Sequence, residues 1–170
     1  TSFPAVNALL HPSALPLTFT PVNFLGAITF TIDSLSGFFI LVTNFTVFTG
    51  LLYSKGYMKS YVGEKKPARF ALHYFSYVWL HFSMLGVLML RDGLAFLIVW
   101  ELMAVSSFML ILFEAENRTT LKTAVNYLIQ MHIGLVLLTI AFLIVESKTG
   151  LFGFDGLSGY FSGHSNLVLF

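Results

Sequence analysis

"AFLIVWELMAVSSFMLILF", residues 95–113, carries one formal charge in nineteen positions. A helix of that length and apolarity reaches across a hydrocarbon core of about 30 Å, which takes roughly 20 residues. The charge is Glu101, about seven residues from one end and so roughly 10 Å deep at about 1.5 Å per residue. Insertion scales put an acid at the centre of a span at about 2.5–3.5 kcal/mol. An alanine would avoid that cost, so the acid needs a reason. Two are open: a carboxylate that carries protons, or a neutral acid bonded to a neighbouring helix, for instance through Ser106 or Ser107 of another copy. Intramembrane acids mostly face a bundle interior or a water-filled path.

The whole chain agrees with a membrane setting. Of its 170 residues 56% are hydrophobic, 19 are Phe and only 10% are charged, against about 25% charged in soluble domains. The net charge is +1, and no basic patch interleaved with aromatics points to nucleic acid. There is no cysteine, which excludes Cys-held zinc, iron–sulfur clusters and disulfides within these residues. No metal-ligand spacing, phosphate-cradling glycine loop or Ser–His–acid set is present, so no cofactor or metal is expected in the chain. Any electrons would travel elsewhere. The chain opens on Thr1 and closes on the apolar "NLVLF", and reads as a segment of a longer membrane protein.

Four runs are long enough to span: residues 35–53, 70–90, 94–113 and 124–145, none interrupted by proline. The expected fold is therefore all-α, four transmembrane helices of a larger bundle. Residues 1–33 form an external surface segment, in which Ile28 to Asp33 and, more weakly, Leu17 to Thr20 alternate apolar and polar side chains as in a short β-hairpin. Residues 34–146 hold the four spans. Residues 147–170 are an external Gly-rich loop or interfacial helix leading to a further helix. Asp33 reads as the N-cap of the first span, and Asn117 and Thr119 as caps of the fourth.

Orientation follows from loop charge. Lys55, Lys59, Lys65, Lys66 and Arg69 face one acid, Glu64, between the first two spans. By the positive-inside rule loops 54–69 and 114–123 are cytoplasmic, although Glu114 and Glu116 dilute Arg118 and Lys122 in the second. The turn at Arg91–Asp92–Gly93 is then external. The "NFT" at Asn44 and "NRT" at Asn117 would lie in the bilayer and the cytoplasm, so neither is a glycosylation site.

Other polar residues within spans are candidates beside Glu101. His73, Tyr77 and His81 recur every four residues and share a helix face; imidazole both gives and takes protons near neutrality. His73 also suits an interfacial anchor. Lys122 shares a face with Asn126 and Gln130 and sits where its stem reaches the surface, which favours snorkelling over chemistry. His132, about 12 Å in from the inner end, has no such outlet. The short "RDG" turn makes the second and third spans an antiparallel hairpin. His81 and Glu101 then differ in depth by roughly 3 Å, close enough for a proton hand-off if their faces meet.

"SMLGVLMLRDGLAFLIVWELMAVSSFMLILF" resembles the antiporter-like proton-conducting membrane subunits. These serve respiratory NADH:quinone oxidoreductase, energy-converting membrane hydrogenases and multisubunit sodium/proton antiporters. "IDSLSGFFILV", "YSKGYM" and "AVNYLIQMHIG" add to the likeness, and "WELMAVSSF" is its most specific element. The resemblance runs from about Phe24 to the end. It implies about fourteen helices in two inverted repeats, with this chain as the third to sixth, and it implies that Glu101 lies on the proton path opposite a lysine of the next helix. "MHIG" looks closest to the hydrogenase and formate-hydrogenlyase branch. A buried carboxylate near a cation stays ionised, and loss of the cation favours its protonation.

These features imply a subunit that conducts protons while partner subunits carry out redox chemistry. Its partners would be the lipid bilayer and other subunits of a respiratory or hydrogenase-type complex, in a bacterial or archaeal-type inner membrane. Two other functions fit the residues: a subunit of a sodium/proton antiporter, and a passive assembly subunit in which Glu101 only packs.

Overall fold

The computed structural model describes residues 2, 5, 6, 17–19, 28–63, 65–114 and 118–163. In chain order these form β1 (Leu17–Phe19), β2 (Ile28–Phe30), α1 (Ser34–Tyr57) with a 3-10 turn at Met58–Tyr61, α2 (Pro67–Met89), α3 (Gly93–Leu112), α4 (Arg118–Thr149) and α5 (Phe154–Gly163). β1 and β2 pair antiparallel, Leu17 opposite Phe30 and Phe19 opposite Ile28. The residues that would close them into a hairpin lie outside the described residues, so a strand pair is described and a closed hairpin is not.

Three helices begin where the sequence supplies a start. Asp33 accepts the Ser36 amide at 2.7 Å and caps α1, and that amide holds its carboxyl below the usual carboxylate range, with Arg91 adding a smaller pull at 4.0 Å. Pro67 opens α2, where its missing amide proton costs nothing. Asp92 accepts the Ala95 amide at 2.7 Å and caps α3. For α4, Thr119 stands in the first turn, and Asn117 lies outside the described residues. At 32 residues α4 exceeds the expected 124–145 run at both ends, because its polar end residues continue the hydrogen-bond ladder that hydropathy cannot see.

The four long helices stand in a row, each packed mainly on its neighbours in sequence, with α2 against α3 the most extensive contact. Three of them, not four, are both long and apolar enough to cross a membrane: α1 with its 3-10 turn, α3 and α4. α2, expected as the second of four spans, falls short of that apolarity. It has the length, 23 residues, but His73, His81, Tyr74, Tyr77, Trp79 and the serines at 76 and 83 lower its hydropathy.

Between such helices apolar burial gives little, since lipid tails are as apolar as leucine; close packing of small residues counts instead. At Gly86 of α2 a Cβ would come within 2.8 Å of a Val99 methyl of α3. At Gly93 a Cβ would come within 2.7 Å of the Gly153 backbone, and Gly153 itself holds φ +122°. Beside that turn Phe96, Phe142, Phe152 and Phe154 meet edge to face, with Phe142 fully buried. The strand pair joins the same end through Thr31, whose amide donates to the Met89 carbonyl at 2.9 Å.

Candidate functional site

The Gly86–Val99 contact fixes how α3 is turned. Glu101 is two residues beyond Val99, about 200° further round the helix, and therefore faces away from α2. It meets α4, where His132 Nε2 lies 2.9 Å from Glu101 Oε1. His132 Nδ1 lies 2.9 Å from the Leu128 carbonyl one turn earlier. A carbonyl only accepts, so Nδ1 carries a proton. A second proton must then occupy the Nε2···Oε1 contact, as a carboxylic acid donating to neutral imidazole or as imidazolium donating to carboxylate. In both arrangements the pair is neutral overall.

Neither partner is sealed, His132 being 47% and Glu101 32% exposed. The second carboxyl oxygen, Glu101 Oε2, is buried without a hydrogen-bond partner, as is Trp100 Nε1. Buried polar atoms of this kind are rare and call for a water or an incoming group.

The other candidates fall elsewhere. Tyr77 donates to the Val47 carbonyl of α1 at 2.9 Å, through space that a side chain at Gly50 would fill. The His73 ring lies 4.7 Å from that of Phe113. Nδ1 of His73 and Nδ1 of His81 are both buried without partners, and no hydrogen bond or ion pair joins His81 to Glu101. The expected hand-off between those two faces has no contact to carry it. Lys122 is exposed near the start of α4, roughly 15 Å along the helix from His132. Among the described residues no three His, Asp or Glu side chains gather to hold a metal ion.

One cluster escaped the sequence reading. Glu114, just beyond α3, accepts hydroxyls from both Tyr57 and Tyr61 on Oε1, the latter at 2.9 Å. Lys65 donates to the Phe113 carbonyl, with its ammonium 4.2 Å from the Phe113 ring centre and 4.8 Å from that of Tyr61. The Tyr57 hydroxyl, then that of Tyr61, hold the Glu114 carboxyl below its ordinary range. A signal was available: Tyr53, Tyr57 and Tyr61 repeat every four residues, like the stripe on α2.

No family model matches the chain. Over 132 residues, 78% of the chain, it is 30% identical to hydrogenase-4 component B of Escherichia coli (strain K12), and it spans 19% of that protein's length. That relative is one of the antiporter-like membrane subunits, and the apolar helices fit a membrane segment of such a protein. The chain is multi-pass, and it belongs to the antiporter-like membrane subunit superfamily, matching one segment of a longer member.

Proposed function

We propose that the chain conducts protons as part of a membrane subunit of a hydrogenase-type complex, and that Glu101 and His132 hold the proton between them. The observation that carries this reading is the 2.9 Å contact, which requires one proton and leaves Oε2 free to exchange another. Removing the shared proton turns two lone pairs on each other, and adding a further one at Oε2 leaves the imidazolium donating to a neutral carboxylic acid, a weaker acceptor than carboxylate. Each change in loading therefore weakens the contact, and a pair that loosens on loading can pass its proton onward. The likeness to a component of hydrogenase-4 supports the setting, with redox chemistry in other subunits. α2 is a fourth span, its 23 residues long enough to cross, and its His73–Tyr77–His81 stripe is a secondary path. Loops 54–69 and 114–123 lie on the cytoplasmic side of an inner membrane.

Glu101→Gln keeps the shape and removes the titratable proton. Proton translocation by the assembled complex is expected to fall about a hundredfold, with protein level and assembly kept. His132→Ala gives a comparable loss, and the double variant is no worse than Glu101→Gln alone. Full pumping by an assembled Gln variant would end the proton-path reading. Loss of assembly in every variant would leave the pair as a bolt between α3 and α4.

A further inference from the structure

His73 opens the α2 stripe on the side of the basic loops, and an aromatic ring lies over it. Its Nδ1 is buried without a hydrogen-bond partner, and the Phe113 ring packs on the imidazole at 4.7 Å. Phe113, only 6% exposed, is covered in its turn. The rings of Tyr61 and Phe70 meet it edge to face, each at 5.7 Å, and the Lys65 ammonium stands 4.2 Å from its centre. The bonds that fasten this cover run from residues 57–65 to the close of α3. Tyr57 and Tyr61 donate to Glu114, the residue after Phe113, and Lys65 donates to the Phe113 carbonyl. Both tyrosine bonds are exposed, so opening here costs far less than unfolding the helices. Gly63, at φ +99°, gives the connection a point at which to hinge.

We propose that Phe113 is a gate between the cytoplasm and His73, held shut by Lys65 and, through Glu114, by Tyr57 and Tyr61. Shut, it keeps water from His73 Nδ1, which then has nothing to give a proton to or take one from. Open, Nδ1 meets a water and exchanges a proton with the cytoplasm. A path open at both ends would only let protons run down their gradient, so a pump needs an end that closes. The gate rests on the α2 stripe being a proton path and asks nothing of Glu101.

Acylation by diethyl pyrocarbonate, followed residue by residue by mass spectrometry on the assembled complex, measures access to each imidazole. His81, about two turns further along α2 and with its own Nδ1 buried and unpartnered, is the internal control. In the double variant Tyr57→Phe, Tyr61→Phe, which loses only two exposed hydroxyl bonds and keeps the fold, His73 is expected to react about fivefold faster. His81 should keep its rate. Phe113→Ala should raise the His73 rate further. If His73 reacts no faster in the assembled double variant, the tyrosines do not hold a cover over it and the gate is overturned. If His81 quickens equally, the helices have loosened as a whole, and that overturns it too. The path has its own test. Unchanged proton translocation by an assembled His73→Leu variant would end the path, and the gate with it, whatever the acylation rates.

Discussion

Tyr57 and Tyr61 both donate to one oxygen of Glu114, and their hydroxyls lie 3.0 Å apart, so three side chains from two distant segments share one negative charge. The carboxyl is held below its ordinary value of 4.5 by these donors, Tyr57 first. For an acid with a depressed value, the stabilisation is complete above the unfolded value and is lost as pH falls through the folded one. The cluster should therefore be unchanged from neutrality to pH 5 and should open only below about 4.5. Hydrogen exchange over residues 57–65, corrected for intrinsic rate, measures this. Tyr57→Phe should move the opening to higher pH, and Glu114→Gln should remove the pH dependence. An unaltered profile in both would remove the tyrosines as its cause. Sequence showed Glu114 only as a loop charge set against Arg118 and Lys122, because its tyrosine partners are 53 and 57 positions away. Glu101 and His132 were each legible as costly intramembrane groups. Their pairing was not, since it depends on the rotation of α3, which one glycine–valine contact sets.

That contact makes a prediction for the helix pair. A methyl at Gly86 would come within 2.8 Å of Val99, and the β-branched valine has no other rotamer to offer at low cost. Gly86→Ala should lower the thermal midpoint of the purified complex, by overpacking worth about 1–3 kcal/mol. Val99→Ala in the same molecule should return part of the loss. If Val99→Ala deepens the defect, the two residues do not bear on each other and the rotation of α3 is differently set. Gly93→Ala has no such rescue, because its neighbour is backbone at Gly153. The helices themselves were readable to within a few residues where an aspartate caps them, as at Asp33 and Asp92. Hydropathy lost them where polar residues continue the helix, as at both ends of α4. For α2 the helical length was read correctly, and His73, Tyr74, Tyr77 and His81 hold its hydropathy below that of the other three.

Across the whole molecule the contacts separate two ends. Tyr57 and Tyr61 with Glu114, and Lys65 with Phe113, tie the α1–α2 connection to the close of α3. Thr31 with Met89, Arg91 with Thr31, and Asp92 with Gly153 tie the opposite end. The positive residues collect at the first end, which the positive-inside rule assigns to the cytoplasm. Single cysteines on a cysteine-free background test that assignment. Gly56 and Gly159 suit the purpose, since a Cβ at either meets nothing within 4 Å, whereas at Gly156 it would strike the Leu151 carbonyl. An impermeant thiol reagent added to intact cells should label a cysteine at 159 and spare one at 56, and permeabilised cells should label both. The reverse pattern would invert the molecule. Glu101, about eight residues in from the Gly93 end of α3 and so roughly 12 Å deep, would then lie nearer the cytoplasm than the far side. Protons would reach it through the turn at Arg91 instead of past His73, and the stripe on α2 would become an exit path.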